Sequence, residues 1–110
     1  MIARIWRGWA RSEADAELYA AFLRATFLPA AARLAGFRGG HVLRRATTGG
    51  EIEFTTVTRF ESIDAVKLFA GEDYERANVA PRARELLARF EPRCAHHEVV
   101  ISDEDVRPDP

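Results

Sequence analysis

Ile2, Ile5, Trp6 and Trp9 fall on both faces of one extended segment at the start of the chain. A strand that is apolar on both sides is usually central in its sheet and covered twice. Every other element must supply that cover or leave it to a partner. Glu51 to Phe60 is the clearest further strand. Its side chains divide cleanly, with Ile52, Phe54, Thr56, Thr58 and Phe60 on one face and Glu53, Thr55, Val57 and Arg59 on the other. Phe37 to Arg45 reads as a strand leading into it through the turn Thr48-Gly49-Gly50. Arg93 to Ile101 reads as the last strand.

Helix signals fill the gaps between strands. Ser12 opens the first helix, with Asp15 three residues on. Its expected buried stripe is Ala14, Leu18, Ala21, Phe22, Ala25 and Leu28, and Pro29 is expected to interrupt it before a short alanine-rich turn to Gly36. Ser62 caps a second helix that carries Ile63, Val66 and Phe69 inward and stops at Gly71. Pro81 starts a third, presenting Leu86, Leu87 and Phe90. The order is β-α-β-β-α-β with one added helical turn, the ferredoxin-like split βαβ arrangement of the α+β class: a four-stranded antiparallel sheet with helices on one face. The other face has no helix to cover it, so Trp6 or Trp9 must lie where a second copy is the simplest cover. A homodimer follows as the expected assembly.

The chain has 110 residues, 16 basic against 17 acidic, and 47% hydrophobic content. That is one domain, expected over residues 1–101, followed by an acidic, proline-containing flexible tail at 102–110. The charge balance leaves no footprint for nucleic acid and no polybasic membrane patch. The third strand also lacks the basic-Gly-aromatic pattern of an RNA-binding sheet. No apolar run approaches the roughly 20 residues of a membrane span. The single cysteine, Cys94, has no partner for an internal disulfide, which makes a cytoplasmic location the expectation.

Certain segments carry a resemblance. The opening Met1-Ile2-Ala3-Arg4-Ile5-Trp6, the run Phe60-Glu61-Ser62-Ile63-Asp64-Ala65, then Phe69-Ala70-Gly71-Glu72-Asp73, and the closing His96-His97-Glu98-Val99 together resemble the antibiotic biosynthesis monooxygenase family over roughly residues 1 to 101. The resemblance implies a dimeric α/β barrel. Its cofactor-free oxygenases place an aromatic residue at Phe60 and a polar one at Thr56, typically tryptophan and asparagine. Its haem-degrading branch places a histidine iron ligand after the second helix, where this chain has Ala77-Asn78-Val79-Ala80. Haem degradation is thereby disfavoured, with a shifted ligand such as His96 or His41 the one route left to it, and no cofactor is expected.

The residues themselves nominate a site. His96 and His97 are adjacent in a strand and point to opposite faces. The resemblance favours His96 as acid/base, against the alternative of a hydrogen-bonded sheet histidine. Arg4 beside Trp6 can hold an anionic or enolised aromatic ligand. A charge in a central strand must also find a partner, and Glu98 is a structural candidate for Arg4. Thr58 joins them as a wall residue, while His41, after Gly39-Gly40, either lines a pocket mouth or sits at a strand edge. Tyr74 and Asn78 lie on the irregular stretch between the second and third helices, a position that often rims a pocket; Tyr74 can equally pack against Phe69. Cys94 and His96 share a face, but no carboxylate or second thiol has metal-ligand spacing around them, so no metal is expected. The expected function is cofactor-independent oxygenation of a small aromatic or polyketide-like molecule, with His96 and Tyr74 catalytic. The alternative is a non-catalytic small-ligand-binding or stress-related module built on the same barrel.

Overall fold

The computed structural model describes residues 1–106 and 108. Its elements are β1 (Ile2–Ala10), α1 (Glu13–Phe22), α2 (Leu28–Ala32), β2 (Phe37–Ala46), β3 (Ile52–Phe60), α3 (Ile63–Ala70), α4 (Pro81–Leu86), β4 (Leu87–Phe90) and β5 (Ala95–Glu98). The sheet is antiparallel, ordered β2-β3-β1-β4, with β5 also paired to β1. This is the ferredoxin-like arrangement, with β1 central as its two-sided apolar content requires.

The local signals act as their chemistry dictates. The Ser12 and Ser62 hydroxyls accept from the backbone N–H of Asp15 and Ala65, which satisfies first-turn donors of α1 and α3. Gly71 ends α3 at a φ of 89°, its N–H donating to the Lys67 carbonyl. Gly40 sits where β2 crosses β3 so closely that a Cβ would lie 2.4 Å from the Val57 carbonyl oxygen, so only glycine fits.

Four expectations are corrected. The first helix does not stop at Pro29. A π turn over Leu23–Phe27, with the Leu28 N–H donating to the Leu23 carbonyl, carries it through to Ala32. The wider turn accommodates a proline that has no N–H to give and crowds the carbonyl before it. The buried stripe of α1 is also rotated from the expected one: Ala16, Tyr19 and Leu23 are buried, whereas Ala14, Leu18, Ala21 and Ala25 are exposed. Tyr19 sets the rotation, its ring packing edge-on against Phe54 at 4.9 Å between centroids. The third helix ends at Leu86, and Leu87 and Phe90 belong to β4, opposite Ala10 and Gly8. The last strand is shorter than Arg93–Ile101, and the outer edge beside β1 is shared by β4 and β5. Of the expected tail, Asp103–Asp105 form a short 3-10 turn capped by Ser102, and Arg107, Asp109 and Pro110 lie outside the described residues.

Between β4 and β5 the edge breaks at Glu91–Cys94. The backbone of residues 75–77 fills the break: Cys94 N–H donates to the Glu75 carbonyl and Ala77 N–H to the Pro92 carbonyl. This strap returns the chain from α3 to α4 across the helix-covered side of the sheet. The core there forms two clusters, one around Ala10, Tyr19, Leu23, Phe54 and Leu86, the other around Phe60, Ala65 and Val66. Among the described residues, no helix is long and apolar enough to cross a membrane.

Candidate functional site

The two core clusters do not meet completely. Between them lies a cavity of about 260 Å³, walled by Tyr19 and Leu23 from the first cluster and Phe69 and Ala70 alongside the second. Its floor is the helix-facing side of β1 and β3, which presents Arg4, Trp6, Thr56 and Thr58. These four lie together because the register sets Arg4 opposite Thr58 and Trp6 opposite Thr56. Asn78 and Val79 close the strap side, and Cys94 lines the cavity from the break in the sheet edge. The walls are mostly aromatic and aliphatic with a few polar groups, the usual composition of a small-molecule site.

Trp6 is fixed by its indole N–H, which donates to the Glu91 carbonyl at 2.6 Å, and by its ring against Phe90 at 5.7 Å. Arg4 is only 8% exposed. It donates to the Tyr74 carbonyl at 3.3 Å and lies 5.3 Å from the Phe69 ring centroid, while its Nε is buried with no hydrogen-bond partner. None of the ion pairs formed among the described residues includes Arg4. The expected pairing with Glu98 is absent for a reason of register: β5 places His96 opposite Arg4 and Glu98 opposite Ile2. Burial pushes the Arg4 guanidinium below its ordinary pKa, and burial pushes the Cys94 thiol up despite the nearby positive charge. The Tyr19 phenol is likewise held protonated by burial.

His96 faces the helix side and His97, opposite Ala3, the open side. The His96 ring stands edge-on to Tyr74, 5.0 Å between centroids, and both ring nitrogens are buried without a partner. Burial, and next the Arg4 charge, lower its pKa, so it is neutral at physiological pH.

The sequence-nominated residues therefore divide. Arg4, Trp6, Thr56, Thr58 and Asn78 line the cavity together. His96 and Tyr74 form a second layer behind Arg4 and do not line it. Phe60 is wholly buried in the smaller core cluster, against Phe37 and Phe69. His41 lies on the open face, opposite Val57. The sequence reading missed Tyr19, Phe22, Leu23, Phe27 and Cys94. The recurrence of Tyr19, Leu23 and Phe27 every four residues was the available signal for the helix wall.

No imidazole lines the cavity, and the strap offers Asn78 and Val79 where a haem iron ligand is expected. None of the lining side chains is thus an imidazole that could ligate haem iron, and no group of three metal-ligating side chains occurs among the described residues.

No protein-family model matches the chain, and no curated protein matches it in sequence. Solved structures do match it in fold. A Bacillus cereus protein named as a candidate antibiotic biosynthesis monooxygenase is 16% identical, with 92% of each chain covered and a TM-score of 0.59. Rv0793 from Mycobacterium tuberculosis is 21% identical, covering 92% of this chain and 96% of that one, with a TM-score of 0.60. The haem degrader MhuD from the same organism, solved with two haems in its active site, is 23% identical over 93% and 98%, with a TM-score of 0.57. The chain thus has the fold that proteins named as antibiotic biosynthesis monooxygenases share.

Proposed function

We propose that the chain is a cofactor-independent monooxygenase acting on a small aromatic or polyketide-like molecule held in the cavity between the sheet and α1. The observation that carries this is a largely apolar cavity with one buried guanidinium on its floor. In such a reaction the substrate's own anion is the reductant of oxygen. For an anthrone-type substrate, the ring CH₂ loses a proton and its carbanion passes electrons to O₂. One oxygen atom stays as the new carbonyl and the other leaves as water. Arg4 is suited to stabilise the anion by charge, and the aromatic walls exclude bulk water and so strengthen that interaction. His96, held neutral and opposite Arg4 on the neighbouring strand, is suited to accept the proton, with Tyr74 beside it. Oxygen uptake with a panel of anthrones and hydroquinones tests the reading; no uptake above buffer across the panel defeats it.

One observation favours a second reading. The cavity wall carries neither an imidazole nor a carboxylate, which suits a non-catalytic ligand-binding protein. His96→Ala separates the two: loss of turnover with unchanged ligand affinity supports the enzyme.

The homodimer belongs to the same proposal. The open face of the sheet carries Ile5 and Val57, half-buried, and Leu43 at 55% exposure. A second copy packed sheet to sheet would cover these apolar side chains and bury on the order of 2,000 Å². A chain that sediments as a monomer at rising micromolar concentration would refute it.

A further inference from the structure

We propose that the cavity is a site for an acid: its ligand is an apolar, ring-bearing monocarboxylate whose carboxylate pairs with Arg4. The inference rests on the reading of the cavity as a small-molecule site and narrows what enters it, giving Arg4 to the ligand's carboxylate in place of the reacting carbanion.

A guanidinium taken out of water is costly unless an anion and further hydrogen bonds replace its hydration. Arg4 has one carbonyl partner and no carboxylate among the described residues, and its Nε is sealed without a partner. The arginine three residues further along the same strand is treated differently. Arg7 is on the solvent side and has Glu91 at 3.1 Å and Glu53 at 3.7 Å. Arg59, half-buried on the open face, also has an unpartnered Nε and a single carbonyl partner, but of the two only Arg4 is buried on the floor of a largely apolar cavity. The missing anion at Arg4 is therefore assigned to the ligand.

The charge and size of that anion follow from the surroundings. A phosphate monoester carries close to two negative charges at neutral pH, and one guanidinium would leave the excess unpaired against aromatic walls. A phenol has a pKa near 10 and must first be ionised, whereas a carboxylic acid near 4 arrives charged at pH 7. A carboxylate also matches the planar guanidinium. The rest of the ligand meets Trp6, Phe22, Phe27 and Phe69, a wall that favours one ring or two fused rings in about 260 Å³. A neighbouring groove agrees in sign. It shares Ala70, Ala77 and Asn78 with the cavity and carries Arg76 and Arg84, and its one acid, Asp73, faces Arg93 at 3.7 Å.

The test compares two probes of nearly equal shape, 2-naphthoate and its neutral carboxamide, by calorimetry on the intact protein at pH 7. The expected result is that naphthoate binds at least about tenfold more tightly, the scale of a hydrogen bond to a charged group. In Arg4→Met, checked for folding by circular dichroism, naphthoate should fall to the affinity of the carboxamide, and Arg4→Lys should retain part of the difference. The wild-type comparison stands even if a variant does not fold. Equal affinity for the two probes in the wild type overturns the acid site and leaves the cavity open to neutral ligands. A preference that survives in Arg4→Met overturns the assignment to Arg4. No measurable binding of either probe overturns both this inference and the small-molecule reading beneath it.

Discussion

Arg4 on the helix-covered face and Arg7, Arg45 and Arg89 on the open face are held in opposite ways, while Arg44, at the helix-side margin, pairs with Glu13 and Glu17, and Arg59 on the open face forms no ion pair among the described residues. On the open face Arg7 reaches Glu91 and Glu53, Arg45 reaches Glu53 at 2.8 Å, and Arg89 reaches Glu51 at 3.1 Å while covering the Trp9 indole at 3.9 Å. Trp9, the open-face tryptophan, is thereby kept largely out of water by charged side chains whose stems are apolar. On the helix-covered face, Arg4 sits among aromatic rings with a single carbonyl. An exposed ion pair such as Arg89–Glu51 contributes little to stability, whereas the buried Glu53 carboxylate depends on Arg7 and Arg45 for its charge partners. An unpaired buried cation is a standing cost, and a fold retains such costs at places where a ligand removes them.

That contrast can be broken or sharpened by four measurements. The largest effect belongs to the packed part of the helix face: Phe54→Ala should cost about 3–5 kcal/mol in urea unfolding, because its ring is buried against Tyr19 and nothing can refill the space. Glu53→Gln comes next, with a loss of about 2 kcal/mol, since this acid is 6% exposed and organises two arginines from neighbouring strands. A neutral result there would mean that the open-face network is ornamental. Arg4→Met should go the other way and raise stability by about 1 kcal/mol in the absence of ligand. A clear loss of stability would show that Arg4 is structural, and the contrast between the faces would fail. The smallest effect is a pH dependence. The folded-state pKa of His96 lies below its unfolded value of about 6.5, so the unfolded chain binds more protons as the solution acidifies. Its contribution to stability is complete above that pH and declines as the pH falls through about 6.5 towards the folded pKa. His96→Phe should flatten that part of the stability curve.

Much of the fold was legible because local chemistry and tertiary demand coincide. The alternation from Ile52 to Phe60, the caps at Ser12 and Ser62, and the stop at Gly71 each give the same answer at both levels. Leu86-Leu87-Ala88-Arg89-Phe90 shows where they part. That run suits a helix as well as a strand, and pairing with Gly8–Ala10 decides for the strand from Leu87 onwards. The alanine-rich α1 offered little contrast around its circumference, so its rotation was legible only in the four-residue recurrence of Tyr19, Leu23 and Phe27. In the site, Arg4, Trp6 and Thr58 were legible from strand parity alone. The exchange of Glu98 for His96 opposite Arg4 depends on a two-residue register between distant strands, which no local pattern encodes. His96 stands behind Arg4 and edge-on to Tyr74, a placement set by tertiary contacts.

The π turn at Leu23–Phe27 has a consequence for how this helix tolerates change in length. In a regular α-helix each four-residue step advances about 40° around the axis, so Tyr19, Leu23 and Phe27 would drift apart in direction. The wide turn holds back that drift, and all three reach one cavity. It is geometrically equivalent to one residue inserted into an ordinary helix. Deleting Thr26 would restore regular hydrogen bonding up to the proline, yet it would turn Phe27 and everything beyond it out of phase with Tyr19. The segment thus keeps time between two stretches of helix, and a shorter version of this chain would be straighter and would have lost one wall of its cavity.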